Sequence, residues 1–219
     1  MFDSMQLGHQ ELSTREKNCR GESGGIKSFQ WITGWGLLAL LPLLCCPMAR
    51  AVPAVARSTQ GYRLCLYDLH TEGRIDVVYR RGNEYIPSAL AKLDYFLRDR
   101  RTGDIRHFDP KLFDLLVKLS TALGRPNGEI DVVCGYRTPQ TNQFLRIHTA
   151  GVAEHSLHMQ AMAIDIRIPG VRTSQVRETA LMLHQGGVGY YPHSNFVHVD
   201  IGRVRQWCLD CTAKQATAD

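Results

Sequence analysis

Hydrophobic residues recur along the chain with two periods. Segments 62–67 and 75–79 alternate or run apolar around the turn-rich stretch 68–74 with its Gly73, which predicts a hairpin. Beyond Tyr85-Ile86-Pro87, Leu90, Leu93, Phe96 and Leu97 share one helical stripe, with Ser88 as N-cap. The charged run 98–101 reads as the solvated end of that helix. Asp109-Pro110 opens a second helix with the apolar face Leu112, Phe113, Leu115, Leu116 and Leu119, closed by Gly124. Ile-Asp-Val-Val-Cys at 130–134 predicts a buried strand, broken by Gly135-Tyr136-Arg137-Thr138-Pro139. Helices are expected over 141–149 and 174–185, strands over 163–168 and 196–201, and a tight turn at Gly186-Gly187-Val188-Gly189. Trp207 is expected to close the core. Helices and short strands interleave without βαβ regularity, so the class is α+β, a single small domain.

The two late strands break the apolar pattern in the same way. In 163–168, Ala163, Asp165 and Arg167 share one face and Ile164, Ile166 and Ile168 the other. In 196–201, Phe196, His198 and Asp200 share one face and Val197, Val199 and Ile201 the other. If the two strands pair, Asp165 and His198 converge on one point. A straight strand would put His158 about 23 Å from Asp165 and on the opposite face, so His158 must arrive from a loop. Small Ala161 and Ala163 permit that fold-back. Two imidazoles and one carboxylate suit zinc, with the fourth position left for a water of lowered pKa. Each of these residues alone also fits a structural, hydrogen-bonded role. His70, His107, His148, His155 and His184 read as surface residues, and His193 as a turn residue.

Composition adds compartment and size. The 219 residues suit one domain of 61–207 preceded by an extension of 1–51 and a linker of 52–60, and followed by a polar tail of 208–219. In the extension, Arg20 and Lys27 precede the apolar run 35–46, and Ala49-Arg50-Ala51 follows. This is the pattern of a secretory signal, with an uncleaved membrane anchor as the alternative. An exported, periplasmic protein with no membrane span after processing is the expectation. The net charge of +5 suits a polyanionic neighbour such as cell-wall polymer, and no Lys/Arg stripe with interleaved aromatics calls for nucleic acid. The processed chain keeps Cys65, Cys134, Cys208 and Cys211, an even count with three possible pairings. Cys208-Leu209-Asp210-Cys211 reads as a disulfide or free thiols in preference to a zinc knuckle or a redox pair.

These blocks together carry a resemblance. Ser156-x-His158, followed by Ala163-x-Asp165, resembles the motif of the zinc D-Ala-D-Ala metallopeptidases and hedgehog-like peptidases. Gly135-Tyr136-Arg137-Thr138, the 156–165 motif, Gly186-Gly187-Val188-Gly189-Tyr190-Tyr191-Pro192 and Ser194-Asn195-Phe196-Val197-His198-Val199-Asp200 resemble the murein endopeptidase K (YcbK-like) family. The resemblance covers about 62–207. It implies a central antiparallel sheet flanked by helices, and an exported, monomeric zinc peptidase acting on the stem peptides of peptidoglycan. His158, Asp165 and His198 become the metal ligands, and Arg137 the stabiliser of the oxyanion. Ser156, Tyr136 and Asn195 become substrate contacts. Two positions depart from the related enzymes. Ala161 stands where the motif usually has Gly, and Asn195 where carboxypeptidase relatives carry the general base. Asp200 is then the candidate base, with orientation of a ligand His as its alternative role. A non-catalytic murein-binding module and a zinc D,D-carboxypeptidase are the competing readings.

Overall fold

The computed structural model describes residues 61–209 and Cys211. The signal, the linker and nearly all of the predicted polar tail lie outside the described residues. The strands are β1 (Gly61–Asp68), β2 (Arg74–Arg81), β3 (Glu84–Tyr85), β4 (Glu129–Cys134), β5 (Ala163–Arg167), β6 (Gly187–Tyr191), β7 (Phe196–Asp200) and β8 (Arg205–Cys208). The helices are α1 (Pro87–Phe96), α2 (Pro110–Ala122), α3 (Pro139–His148) and α4 (Thr173–Met182), with a 3₁₀ turn at Leu157–Gln160. All eight strands form one sheet in the order β3-β2-β1-β4-β5-β7-β6-β8. The α+β class holds. The sheet is mixed: β4-β5-β7-β6 at its centre run antiparallel, while β1 with β4 and β6 with β8 pair in parallel.

Alternation decides which face holds the core. Leu64, Leu66, Ile130, Val132, Ile164, Ile166, Val197 and Val199 are all buried in it. The apolar stripe of α2, Leu112, Phe113, Leu115, Leu116 and Leu119, packs into the same core, and α4 lies against β6, β7 and α2. Each fully buried aliphatic contributes about 1.5–3 kcal/mol, so this face holds the sheet in register. A one-residue slip would put Asp165 and His198 into it.

The helix ends follow local chemistry. Asp109 caps α2 by accepting from the Lys111 N–H at 3.0 Å, and Gly124, at φ +71°, ends it as expected. The first helix starts earlier than the Ser88 cap implies. Pro87 is preset for the first helical position, Ile86 becomes the cap residue, and Ser88 falls inside the first turn. Thr138 caps α3, accepting the Thr141 N–H at 3.1 Å. The helix α4 stops at Met182, short of the expected 185, and His184 is left-handed at φ +48°.

Two expectations are corrected. The glycine run 186–189 belongs largely to a strand. β6 pairs on both sides, and its missing side chains make room for neighbours. A Cβ on Gly189 would lie 2.5 Å from the Trp207 indole. The charged run 98–101 is not wholly solvated either. Asp99 is buried, and its Oδ2 accepts from the Thr138 N–H at 2.7 Å and the Thr138 hydroxyl at 2.8 Å. Its Oδ1 accepts from the Arg101 N–H at 2.8 Å. This carboxylate therefore pins the 135–138 loop to the end of α1.

Burial works against the Asp99 charge, but the hydrogen bonds from Thr138 and Arg101 outweigh it and hold the carboxyl below its ordinary range. A depressed carboxyl stabilises the fold above the unfolded aspartate value, about pH 4, and that stability is lost as pH falls through the folded value. Asp99→Asn is expected to cost about 1–3 kcal/mol near neutrality, by weakening the bonds of buried donors. It should also flatten the acid limb of the stability profile. Urea midpoints at pH 3 and pH 6 check both; parallel profiles for wild type and variant would refute the assignment.

Candidate metal centre

Five residues on neighbouring strands form one row across the face opposite the aliphatic core. Asp165 on β5 lies opposite His198 on β7, His198 opposite Gly189 on β6, and Gly189 opposite Trp207 on β8. On the other side, Asp165 lies opposite Cys134 on β4. Directly opposed residues share a face with Cβ atoms about 4.5–5.5 Å apart, so the row is a line of converging side chains.

His158 reaches the row from the 3₁₀ turn. Ser156 caps this turn, its Oγ accepting from the His158 N–H at 3.3 Å. Ala161 ends it in the left-handed region, at φ 54° and ψ 38°, and the chain then enters β5. The position therefore does need the conformation that Gly adopts freely. An alanine there costs about 1–2 kcal/mol, while its methyl is fully buried in the core. The ligand geometry survives the departure.

The convergence is tight. His158 Nε2 lies 3.2 Å from Asp165 Oδ1 and 3.1 Å from His198 Nδ1, and His198 Nδ1 lies 2.9 Å from Asp165 Oδ1. The outer nitrogens are both engaged. His158 Nδ1 lies 2.7 Å from the Gly135 carbonyl oxygen, and His198 Nε2 lies 3.1 Å from Asp200 Oδ2. Each acceptor takes the ring N–H on its own side, which leaves the inward nitrogen of each imidazole with its lone pair free for a cation. Gly135 is required for the first of these bonds, because a Cβ there would sit 2.5 Å from the Leu97 carbonyl oxygen.

The donor set fits a divalent cation. Tetrahedral nitrogen and oxygen ligands at about 2.0–2.1 Å stand about 3.3 Å from one another, close to the spacing observed. All three side chains are buried. Burial alone would depress His158, but the Asp165 charge outweighs it and raises the imidazole pKa. Burial would raise Asp165, yet His158 and His198 hold it well below the usual carboxylate range. The pair thus retains a proton that a cation would replace.

Asp200 is not placed to act as a base. It is fully buried behind His198, accepts from the Gly187 N–H at 2.9 Å and the Gly202 N–H at 2.8 Å, and is paired with Arg205 at 2.8 Å. Burial opposes its charge, but bonds from His198, Arg205, Gly187 and Gly202 lower its pKa. Its contact with Nε2 fixes the orientation of the His198 ring. Arg137 does reach the centre, its Nη2 donating to Asp165 Oδ2 at 2.8 Å and its Nε lying 3.0 Å from Cys134 Sγ.

Two expected substrate contacts are elsewhere. Tyr136 is buried in the core, because its N–H bonds to the Leu97 carbonyl at 2.8 Å and turns the ring away from the site. Asn195 sits in the β6–β7 turn at φ 53°, accepts from the Thr173 hydroxyl, and lines a separate cavity with Asp131 and Arg167. Ser156 does line the cavity over the centre, which measures about 320 Å³.

The walls of this cavity also carry residues that sequence reasoning passed over. Cys134, Arg100, Arg205, Tyr191 and Trp207 line it, and Asp165 is the one carboxylate on its wall among the described residues. Trp207 covers Gly189 instead of closing the core, its Nε1 donating to the Tyr191 hydroxyl at 3.0 Å. Cys134 Sγ, His158 and Asp165 offer ligand atoms within 4.8 Å of one another. The β8 strand takes Cys208 into the sheet, and Cys208 is joined to Cys211 in a disulfide. Among the described residues no helix is long and apolar enough to cross a membrane.

Residues 56–207 match the family described as peptidoglycan L,D-endopeptidase MepK, a branch of the metal-dependent M15 peptidases. A protein from Haemophilus influenzae named probable peptidoglycan L,D-endopeptidase MepK is 38% identical over 178 residues, covering 81% of this chain and 94% of that one. The Escherichia coli K12 peptidoglycan L,D-endopeptidase MepK is 44% identical over 144 residues, covering 66% of this chain and 79% of its own. The Shigella flexneri protein of the same name has the same identity and coverage. No solved structure matches the chain.

Proposed function

Because this chain belongs to the family of the peptidoglycan L,D-endopeptidase MepK, we propose that it is an exported zinc endopeptidase that cuts stem-peptide cross-links of peptidoglycan at an L,D-amide bond. The observation that carries the reading is the convergence of His158 Nε2, Asp165 Oδ1 and His198 Nδ1, with both outer ring nitrogens bonded to acceptors. A buried set of two imidazoles and one carboxylate is the donor chemistry of catalytic zinc. These three residues would hold the ion. Zinc bound there supplies a Lewis acid for a carbonyl and a water acidic enough to attack near neutral pH.

The chain's own residues supply the remainder. Gly135 and Asp200 hold the ligand imidazoles in orientation and tautomer. Arg137, fixed by Asp165 and Cys134, presents a guanidinium beside the reacting carbonyl, where it stabilises the negative charge developing on oxygen. The cavity walls bring Arg100 and Arg205 as well. Three guanidinium groups around one cavity suit a peptide that carries free carboxylates, as stem peptides do. The signal-like segment before residue 52 supports a periplasmic location, where the substrate is, and the proposed enzyme is a monomer.

Defined cross-linked muropeptides incubated with the purified protein are expected to yield new products cut at an L,D-bond by mass spectrometry. A chelator should stop the reaction and added zinc restore it. Binding of muropeptides without cleavage, in zinc-replete protein, would overturn the proposal in favour of a non-catalytic module.

A further inference from the structure

We propose that Cys134 is a fourth protein ligand of this metal centre, its thiolate closing the coordination position that His158, Asp165 and His198 leave open. The inference rests on the metal centre proposed above and goes beyond it, because the three-ligand site uses Cys134 only as a contact of Arg137.

The backbone supplies the first argument. β4 and β5 pair Asp131 with Arg167 and Val132 with Ile166, so regular pairing would set Val133 opposite Asp165. The register instead shifts between Val132 and Cys134, and Cys134 takes the place opposite Asp165. Val132 stays in the core. Strict alternation would put Cys134 on the same face as Val132. The bulge breaks the ladder and turns the thiol onto the face of the metal ligands, as bulges beside sites re-aim side chains.

The side chains supply the second. Cys134 Sγ lies within 4.8 Å of the ligand atoms of His158 and Asp165. It is a free thiol in the cavity wall, whereas Cys208 and Cys211 are bonded to each other. Two triads, Cys134/His158/Asp165 and His158/Asp165/His198, share His158 and Asp165, so the thiol stands beside that shared pair. A sulfur, two nitrogens and an oxygen would be a four-ligand donor set of the kind that holds zinc tightly.

Closure has a chemical consequence. On coordination the thiol gives its proton to solvent, and on release the thiolate needs a partner or a proton. Arg137 Nε, 3.0 Å from Sγ, is that partner, and its Nη2 keeps its bond to Asp165 throughout. Cys134 would hold the ion together with the three ligands, and Arg137 would stabilise the thiolate whenever it is not bound.

Cobalt(II) is the probe. The full chain, stripped of metal and loaded with one equivalent of cobalt, is expected to show a near-ultraviolet thiolate-to-cobalt charge-transfer band beside the visible bands of tetrahedral cobalt. Cys134→Ser, near-isosteric and checked for folding by circular dichroism, should lose the first and keep the second. Its affinity for zinc in chelator competition should fall about tenfold or more. Visible bands without a charge-transfer band in the wild type would overturn the inference and leave the three-ligand centre standing. No cobalt bands at all in folded wild type would overturn both.

Discussion

His158→Ala is expected to reduce muropeptide cleavage by about a thousandfold or more and to leave the purified protein with little bound metal. Lewis-acid stabilisation by a bound ion contributes several kcal/mol to the transition state, and each 1.4 kcal/mol is about tenfold in rate. His158 is the member of the set on which most contacts converge. Its Nε2 faces both Asp165 and His198, and its Nδ1 is tied to Gly135. Alanine removes one donor and leaves Asp165 with one fewer counter-charge, since His158 contributes more than His198 to holding that carboxyl ionised. Metal content by atomic spectrometry and product formation on defined muropeptides check the two halves separately. Undiminished cleavage at unchanged metal content would sink the mechanism.

Arg137→Ala is expected to lower kcat by about 10²–10³-fold, the usual cost of losing one donor to a developing oxyanion. Metal affinity should fall less than in His158→Ala, because the three ligand atoms remain. Arg137→Lys should not restore the rate. The guanidinium spans two partners at once, Asp165 through Nη2 and Cys134 through Nε, and an ammonium point charge cannot hold that fork. Steady-state kinetics on a single cross-linked muropeptide, with metal titration alongside, separate the two effects. A lysine variant with wild-type kcat would show that charge alone suffices, and would remove the oriented-donor role from Arg137.

Much of the fold is legible from periodicity, since burial enforces it. The hairpin, the aliphatic faces of β5 and β7 and the stripe of α2 follow from alternation and helical spacing, because a slip would bury Asp165 and His198 in a core of Ile and Val. The pairing of Asp165 with His198 follows from the same rule. The β6 strand was not legible. Its glycines look like a turn, yet their purpose is to let Trp207 and Asp200 approach the backbone, and those neighbours are distant in sequence. Asp99 hid in a charged run for a similar reason. Its partners are the backbone and hydroxyl of Thr138, more than a helix away.

The site divides along the same line. The three proposed ligands stand out in the sequence because His and Asp interrupt strands that otherwise have no use for them. The roles of Asp200, Tyr136 and Asn195 do not, because strand alternation tells which face a residue takes but not what lies beyond it. Asp200 shares the face of His198, and only packing reveals that it sits behind that ring, held by four donors. Cys134 is the opposite case: alternation assigns it to the core, and a one-residue bulge against β5 turns it toward the metal centre. By itself, then, the sequence determined the α+β class, the aliphatic face and the polar face on which the three proposed ligands converge, all consequences of local period and residue chemistry. Tertiary structure alone decided which side chains support those ligands, and whether a fourth stands beside them. Such choices depend on register and close approach between segments that no local pattern connects.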